Sequence, residues 1–557
     1  MLTENLIQLF EDTTIKKWDA PSFSDYGSSD GPMTYGEVAN KISEFHEIFK
    51  FFGIEAGDKI AICGKNSTNW ALTYLSVLTY KAVTVPILAD FAVDDIRHVI
   101  NHSDSRLFFV GSSIFEKIDN LESDNLDAVI SLDDFRPLYM KDPSKQSELE
   151  ERWTTVRERL KANPIKKDDF HFQSIPNDTL ASIVYTSGTT GFSKGVMLNN
   201  NALLANVRFL IDHLAVEIPG NILAFLPLAH SLGCSIDFLA EFARGAHIHF
   251  LSKNPTPKVL LKAFQELKPD LVVSVPLILE KIYTSKLQPM LESPQMQFLL
   301  KIPFVSDLIY KKIGEQINET FGGKQYEMIA GGAAFNPKIE EFYKKCGVRF
   351  MVGYGMTECA PLVSYYEWYE EHNIGTCGKI INTLTAKIDA PDESGTGEIC
   401  LKGENVMLGY YKLPNETAAA FDKDGWFHTG DLGYIDENGF LFIRGRIKNM
   451  ILSASGQNIY PEEVEAKLNN LPYVQESLLL EGKEGKLIAF VYPDKEKIEK
   501  DRISEDMLRE IMQKNKERIN KMVPSFAKIS EIKIFPEEFI KTSTKKIKRR
   551  LYTTLVD

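Results

Sequence analysis

The sequence contains few cysteines, and their positions match neither a metal site nor a disulfide framework. Zinc-binding cysteines usually come in pairs about two to four residues apart, and disulfide frameworks belong to short secreted domains. We therefore expect reduced thiols in a cytoplasmic protein. The six cysteines, each well separated from the next, are Cys63, Cys234, Cys346, Cys359, Cys377 and Cys400.

The chain also lacks a long apolar run and an excess of positive charge. No uncharged apolar run approaches the roughly 20 residues that cross a bilayer, and residues 1–18 lack the apolar core of a signal peptide. The 64 lysines and arginines are outnumbered by 77 aspartates and glutamates, which gives a net charge of −13. We expect no transmembrane segment and no nucleic-acid partner, while peripheral membrane contact stays open.

What the 557 residues do contain is an alternation of helical patterns with short apolar runs, which predicts α/β layers with mostly parallel sheets. A charged crossover is predicted at 133–177, and a helical insertion broken by two prolines at 287–313. The predicted buried strands are Lys59–Cys63, Ala82–Ile87, Arg106–Gly111, Ala128–Leu132, Asn221–Leu226, Ala246–Leu251 and Leu271–Val275.

From Gly397 the pattern becomes β-rich, with strands at Gly397–Gly403 and Phe440–Arg444 and a hairpin turn at Asn438-Gly439. A helix at Pro461–Leu468 and further apolar runs follow. The predicted fold is therefore α/β: a large N-terminal domain of layered α/β subdomains with a small β-rich part, plus a small mobile C-terminal α+β domain. We place the domains at 1–447 and 448–557.

One stretch, Tyr185–Gly195, combines glycines, hydroxyls and a lysine directly after an apolar run. Glycines allow close backbone approach to a phosphate, while hydroxyls, amides and a lysine supply hydrogen bonds and charge. A kinase-type phosphate loop needs Gly-Lys-Ser/Thr, but here Lys194 precedes Gly195, so that interpretation fails. The candidate polyphosphate ligands are Thr186, Ser187, Gly188, Thr189, Thr190 and Lys194.

Five motifs in order resemble those of the acyl-adenylate-forming enzymes, the AMP-binding superfamily that includes acyl-CoA synthetases, firefly luciferase and nonribosomal peptide adenylation domains. The resemblance extends over roughly residues 33–551, nearly the whole chain. The motifs are Tyr185–Gly195, Tyr354-Gly355-Met356-Thr357-Glu358, Phe427-His428-Thr429-Gly430-Asp431, Gly445-Arg446-Ile447-Lys448 and Lys546-Ile547-Lys548-Arg549.

The resemblance implies a role for each motif. Glu358 would ligate Mg²⁺ and Thr357 would contact the α-phosphate. Asp431, reinforced by Arg446, would accept hydrogen bonds from the ribose, and Lys448 would be the hinge of the small domain. The residues implied at the adenine are Gly331, Gly332, Ala333, Tyr354 and Gly355.

Two further residues are catalytic candidates by the same resemblance. Lys546 would reach the carboxylate and α-phosphate during adenylation, although Lys545 stands where the family often has glycine, so Lys545 or Lys548 remains an alternative. His230, after the apolar run ending at Leu226, would line the acyl pocket. A solvated basic tail and a buried core histidine are the structural alternatives.

The residues in and around the motifs are most similar to those of long-chain fatty acyl-CoA synthetases. This implies activation of a medium- to long-chain fatty acid by ATP to acyl-AMP, with release of pyrophosphate, and then a thioester with coenzyme A. Transfer to an acyl carrier protein is the alternative, and an inactive nucleotide-binding regulator is the alternative from another class. The implied cofactor is Mg²⁺.

Overall fold

The structure of the protein, a computed structural model, divides the chain into two compact units. The first unit comprises Met1–Thr385 and Lys402–Gly425, and the second Ala386–Leu401 and Trp426–Asp557. The structure describes residues 2–118, 121, 123–186, 193–214, 220–453, 457–482, 485–541 and 547–556, without the side chains of 285 and 286.

Most α-helices lie in the first unit, and several begin at side chains that cap them. Thr34 and Glu37 form a reciprocal capping box on the second helix, and Ser67 and Asn199 cap two others. Gly233–Ala240 and Tyr283–Leu287 are π-helical. The helices are α1 (Leu6–Lys16), α2 (Tyr35–Phe51), α3 (Thr68–Thr79), α4 (Val93–Ser103), α5 (Ser112–Phe115), α6 (Gln146–Ala162), α7 (Asn200–His213), α8 (Glu241–Arg244), α9 (Pro257–Leu267), α10 (Pro276–Ile282), α11 (Gln288–Leu291), α12 (Pro294–Leu299), α13 (Val305–Thr320), α14 (Pro337–Lys345), α15 (Pro414–Ala420), α16 (Pro461–Leu468), α17 (Lys495–Asp501) and α18 (Glu505–Met522).

The strands form six sheets among the described residues. In chain order they are β1 (Pro21–Asp25), β2 (Met33–Thr34), β3 (Lys59–Cys63), β4 (Val83–Ile87), β5 (Ser105–Val110), β6 (Ala128–Ser131), β7 (Pro137–Met140), β8 (Leu180–Thr186), β9 (Lys194–Asn199), β10 (Asn221–Ala224), β11 (His247–Phe250), β12 (Leu271–Ser274), β13 (Glu327–Ala330), β14 (Phe350–Val352), β15 (Tyr354–Gly355), β16 (Leu362–Tyr365), β17 (Lys379–Ile380), β18 (Leu384–Asp389), β19 (Gly397–Gly403), β20 (Gly409–Tyr410), β21 (Phe427–Ile435), β22 (Leu441–Arg446), β23 (Ile451–Leu452), β24 (Asn458–Ile459), β25 (Val474–Glu481), β26 (Leu487–Pro493) and β27 (Ile529–Ile534).

Two large sheets with parallel centres organise the first unit. One has the order β20-β9-β8-β4-β3-β5-β6-β7, and the other β14-β13-β12-β10-β11-β1-β2. Every residue of β4 and of β12 is buried, as expected for strands in a sheet that is covered on both faces. The predicted α/β layers are confirmed, whereas β7 was not predicted because it lies inside the charged crossover.

The second unit contains a four-stranded sheet, β18-β19-β21-β22, and a three-stranded sheet, β25-β26-β27. The predicted turn at Asn438-Gly439 lies in the link between the antiparallel strands β21 and β22, and Gly439 has φ +83°. A separate core packs α16 and α18 on the smaller sheet through Val464, Leu468 and Ile519. The domain boundary at Lys448 stays a prediction.

Among the described helices, none has the length and apolarity needed to cross a bilayer.

One buried carboxyl in the first unit makes folding stability depend on pH. Glu327 on β13 is fully buried, and burial raises the pKa of its carboxyl to about 8, with the nearby Glu367 acting in the same direction. The ordinary value for the exposed group is 4.5. The folded state therefore holds this proton where the unfolded chain has released it, and stability is lost as the pH rises from 4.5 through about 8.

We expect Glu327→Gln to remove this loss. Between pH 6 and pH 9 the wild type should lose on the order of 2–3 kcal/mol of stability relative to the variant. The reason is that the wild type has an ionisable carboxyl at this buried position, whereas the glutamine of the variant cannot ionise. Denaturant unfolding of both proteins at the two pH values measures the difference. Parallel pH dependence of the two proteins would show that Glu327 does not titrate in this range.

Candidate active site

The candidate phosphate loop is closed by an antiparallel hairpin. β8 ends at Thr186 and β9 begins at Lys194, and these two residues are register partners. A strand begins at Lys194 where a kinase-type loop would begin a helix, so the structure also differs from the kinase pattern. The predicted ligands Ser187, Gly188, Thr189 and Thr190 lie outside the described residues.

A tyrosine links the lysine of this hairpin to the candidate metal ligand. The Lys194 Nζ lies 4.8 Å from the ring centroid of Tyr410. The Tyr410 hydroxyl donates a hydrogen bond of 3.0 Å to Oε1 of Glu358. Burial and the Glu358 carboxylate raise the pKa of Tyr410 well above its ordinary value, so the hydroxyl keeps its proton and remains a donor. Three distant segments of the sequence thus meet at one cation–aromatic–carboxylate chain.

Thr357 and His230 lie close to this chain. Thr357 opens a short 3₁₀ turn that also carries Glu358, and its hydroxyl lies 3.4 Å from the hydroxyl of Ser231. The Leu232 N–H donates to Nδ1 of His230 at 3.2 Å. Because Nδ1 accepts that bond, a neutral His230 ring carries its proton on Nε2.

Two buried asparagines hold the turn that carries Thr357 and Glu358. Asn206 on α7 and Asn405 both donate to the carbonyl of Cys359, at 3.0 and 2.9 Å. Asn405 donates also to the carbonyl of Leu362 at 2.8 Å, and Asn206 accepts from the Leu362 N–H at 2.9 Å. Both side chains are fully buried, so they replace the backbone partners that an irregular turn lacks.

The predicted adenine-binding residues lie at one edge of a sheet. Gly331, Gly332 and Ala333 follow β13, and Tyr354 follows β14, its parallel neighbour. Gly332 has φ +87°, a conformation that favours glycine. Ligands of open α/β sheets bind at the carboxyl ends of strands, where these residues are placed.

A narrow, mostly apolar cavity lies beside Ser231 and Ala360. Its wall combines residues of the parallel sheet with residues of the π-helical segment Gly233–Ala240. The apolar lining includes Val184, Leu198, Leu203, Ala229 and Leu239, and polar atoms come from Tyr74, Ser182, Ser231, Cys234 and Ser235. Such a lining fits a hydrocarbon better than a charged group.

Asp431 and Arg446 form an ion pair in the second unit. They are register partners on β21 and β22, and Arg446 Nε lies 2.9 Å from Asp431 Oδ1. Asp431 is only 4% exposed. Lys448, the predicted hinge, lies in an exposed 3₁₀ turn directly after β22.

Glu398 supports the segment that carries Asp431. Its Oε1 accepts from the Gly430 N–H at 3.0 Å, and its Oε2 lies 2.7 Å from Nδ1 of His428. The Sγ of Cys400 lies 3.5 Å from the same nitrogen, so three potential metal ligands converge here. The contacts of Glu398 explain why these three side chains lie together: they hold the backbone of Gly430 and Asp431 in place. For Mg²⁺ the better candidate is Glu358, because this ion takes hard oxygen ligands together with phosphates, whereas Cys400 and His428 offer sulfur and nitrogen.

Two residues of the basic run near the C-terminus, Lys541 and Arg549, form ion pairs within the second unit. Lys541 pairs with Glu538 and Glu476, and Arg549 pairs with the buried Glu465. Lys548 is exposed. Lys546 and Lys545 lie outside the described residues, so the assignment of the catalytic lysine remains a prediction.

Four residues described above were not predicted from the sequence: Asn206, Asn405 and Tyr410 in the first unit, and Glu398 in the second. The partners of Tyr410 and Asn405 are 52 and 46 residues away along the chain, so no local pattern marks them. Glu398 was missed for the same reason, because the pairing of its strand β19 with β21, which carries the His428 motif, is set by the tertiary fold.

A family model described as AMP-binding enzyme matches residues 10–411, well over half of the chain. Long-chain-fatty-acid–CoA ligase 5 of Rattus norvegicus is 30% identical over 470 residues, covering 79% of this chain and 67% of that protein. Long-chain-fatty-acid–CoA ligase FadD15 of Mycobacterium bovis is 27% identical over 474 residues, covering 80% and 75%.

Among solved structures, ATP-bound MatB from Rhodopseudomonas palustris is similar over 100% of both chains, with a TM-score of 0.75 and 22% identity. At this identity the similarity shows the fold alone. It extends beyond residue 411, where the family model stops.

Asn405→Ala should destabilise the protein by about 2–3 kcal/mol, because the buried carbonyl of Leu362 loses this donor and the carbonyl of Cys359 keeps only Asn206. Urea unfolding of the purified protein measures the change. The matched control is Asn101→Ala on the exposed surface of α4, for which we expect a change within about 0.5 kcal/mol. Equal stability of the two variants would contradict the role of Asn405.

Proposed function

The chain belongs to the AMP-binding enzyme family, and from this premise we propose that it is a long-chain fatty acid–CoA ligase. The observation that carries the proposal is the Lys194–Tyr410–Glu358 chain at the start of β9, in a protein whose relatives bear this name. Its substrates are a fatty acid, ATP and coenzyme A.

In the first half-reaction a carboxylate oxygen of the acid attacks the α-phosphorus of ATP. The bond from that phosphorus to the bridging oxygen breaks, pyrophosphate leaves, and an acyl-AMP anhydride remains. Negative charge builds on the pyrophosphate, so a fixed cation and hydrogen-bond donors lower the barrier. Lys194, held over the Tyr410 ring, supplies the cation. Thr186, its register partner on β8, is the proposed hydroxyl donor beside it.

Glu358 is the proposed Mg²⁺ ligand, and the ion, when bound, would neutralise charge on the phosphates. The chain's own contribution is orientation. Tyr410 holds one carboxylate oxygen of Glu358, and the two buried asparagines hold the backbone of its turn. Thr357, on the same turn, is the proposed donor to the α-phosphate.

The nucleoside contacts are proposals from the sequence motifs. Asp431 accepts from the ribose hydroxyls, Arg446 fixes its carboxylate, and Tyr354 stacks on the adenine. In the second half-reaction the sulfur of coenzyme A attacks the acyl carbonyl and AMP leaves. Lys448 is the proposed hinge between the half-reactions, and Lys546 acts in the first of them only.

We assign the acyl chain to the cavity beside Ser231, and we propose that His230, which lies between the lining residues Ala229 and Ser231 in the sequence, is part of the acyl pocket. The lining is mostly apolar, but the cavity is narrow, so a long chain must displace side chains such as Leu239 to enter. We also propose that the protein is cytoplasmic. An acyl carrier protein is the alternative acceptor of the acyl group, and contact with a membrane surface is a further proposal.

A panel of fatty acids of increasing chain length tests the function. We expect ATP–pyrophosphate exchange with the longer acids and coenzyme A-dependent release of AMP. Exchange without coenzyme A-dependent turnover would favour an acyl carrier protein as acceptor. No exchange with any acid would refute the ligase and favour a regulatory nucleotide-binding protein.

Tyr410→Phe should lower kcat/KM for ATP about 10- to 100-fold, because a hydrogen bond to a carboxylate is lost beside the proposed metal ligand. Steady-state kinetics at saturating fatty acid measure the effect. The matched control is Tyr411→Phe, whose hydroxyl contacts Asp104 instead and whose loss should change kcat/KM less than about threefold. Equal effects would assign no special role to Tyr410.

Lys546→Ala should abolish acyl-AMP formation yet still convert supplied acyl-AMP to the thioester, because the lysine is proposed for adenylation alone. The two half-reactions are assayed separately, with Lys545→Ala and Lys548→Ala as controls. Loss of both half-reactions would refute the role, and loss in a control variant alone would move it to that lysine.

A further inference from the structure

Three side chains of the second unit bring a thiol, an imidazole and a carboxylate together. The Sγ of Cys400, the Nδ1 of His428 and a carboxylate oxygen of Glu398 all lie within 4.8 Å of one another. Sγ lies 3.5 Å from Nδ1, and Oε2 of Glu398 lies 2.7 Å from the same nitrogen. The bond that supports the Gly430 backbone uses Oε1, so Oε2 can join the imidazole and the thiol in binding a metal ion.

The strand pairing of the second unit fixes this arrangement. Glu398 and Cys400 are two residues apart on β19, so their side chains leave the same face of the strand. Cys400 and His428 are register partners on β19 and β21. Between this pair and the pair Glu398–Leu432, β19 has one residue and β21 has three, so β21 bulges here. The three ligands therefore lie on paired strands, and rigid elements of this kind hold metal ligands precisely.

The distances between the ligand atoms are close to those of a tetrahedral zinc site. With Zn–S bonds of about 2.3 Å and Zn–N and Zn–O bonds of about 2.0–2.2 Å, neighbouring ligand atoms lie roughly 3.3–3.6 Å apart. The distance of 3.5 Å between Sγ of Cys400 and Nδ1 of His428 is within this range. The distance of 2.7 Å between Nδ1 and Oε2 must lengthen by roughly 0.6 Å, which a rotation of the half-buried Glu398 side chain can supply.

The chemistry of the ligands identifies the ion. Mg²⁺ and Ca²⁺ take oxygen ligands, whereas one thiolate, one imidazole and one carboxylate suit Zn²⁺. On binding, the thiol proton passes to water and the neutral ring carries its proton on Nε2, so the thiolate and the carboxylate neutralise the two charges of the ion. Cys400 is fully buried, while the side chains of His428 and Glu398 are 26% and 19% exposed. The ion therefore has a route from solvent, and its fourth position is open to water.

We propose that Glu398, Cys400 and His428 form a binding site for Zn²⁺. The site itself does not depend on the reaction proposed above, but its effect on the nucleotide rests on that function. Oε1 of Glu398 accepts from the N–H of Gly430, the residue before Asp431, which is the proposed ribose acceptor. Movement of Glu398 towards the ion loosens this support, so bound Zn²⁺ lowers the affinity for AMP. By linkage, AMP lowers the affinity for Zn²⁺ by the same factor.

Titration of the whole chain with Zn²⁺ and with Co²⁺ tests the site. We expect one ion per chain, and a thiolate-to-cobalt charge-transfer band in the near ultraviolet for the Co²⁺ form. Cys400→Ser should abolish this band and weaken Zn²⁺ binding at least about tenfold, because even partners outside the ligand set change metal affinity about 10- to 100-fold. The control Cys377→Ser removes a partly exposed cysteine of the first unit and should keep both the band and the affinity.

A second variant keeps the test decisive if loss of the buried thiol impairs folding. His428→Gln, at a partly exposed position, should also weaken Zn²⁺ binding at least about tenfold. Its control is His171→Gln, because His171 likewise lies near a carboxylate oxygen, Oε1 of Glu11 at 3.4 Å. A wild type without the charge-transfer band, a band that survives in Cys400→Ser, or equal Zn²⁺ affinity of all variants would overturn the proposal.

Calorimetric titration with AMP, in the presence and absence of Zn²⁺, tests the coupling to the nucleotide. We expect saturating Zn²⁺ to weaken AMP binding by the wild type about fivefold or more, and to leave AMP binding by Cys400→Ser unchanged. Equal affinity of the wild type for AMP in both conditions would overturn the coupling. A wild type that binds Zn²⁺ but does not bind AMP at all would count against the proposed function and in favour of a metal site that is independent of it.

Discussion

The hydrogen bonds from two buried asparagines to the turn after Glu358 are the contacts on which the candidate site depends most. Thr357 and Glu358 belong to no long helix or wide sheet, so no regular ladder fixes their positions. Asn206 comes from a helix and Asn405 from an otherwise irregular segment, and both bind the carbonyl of Cys359. The chemistry of a phosphate site needs groups that are fixed before the substrate arrives, and these amides fix them here.

A second constraint is the kind of element that carries the glycine loop. A kinase-type loop binds phosphate at a helix N-terminus, where backbone dipoles favour anions. The loop in this chain lies between β8 and β9, and sheets have little net dipole. Side chains must therefore supply more of the attraction, which agrees with the abundance of hydroxyls in the sequence and with the lysine that immediately follows them.

Much of the fold could be predicted because the local patterns are strong. The strand Lys59–Cys63 and the helix Pro461–Leu468 have the predicted bounds, since an unbroken apolar run and a proline at the first helical position mark them clearly. The motif residues of the site were predicted from the resemblance to the acyl-adenylate-forming enzymes, and their roles stay predictions. Tyr410 and Asn405 were missed because their function depends on partners that only the tertiary fold brings near. The roles of Ser187 and Lys546 remain predictions, because those residues lie outside the described part of the chain.

The pairing of β20 with β9 limits how the segment before Tyr410 can change in length. Gly409 pairs with Met197 and Tyr410 with Val196, so the side chain of Tyr410 leaves the sheet on a face set by this register. Side chains alternate between the two faces of a strand with a period of two. Loss or gain of a single residue between Asn405 and Gly409 would turn Tyr410 to the opposite face, away from both Lys194 and Glu358. Related chains that keep this tyrosine should therefore vary in sequence but not in length across this short connection.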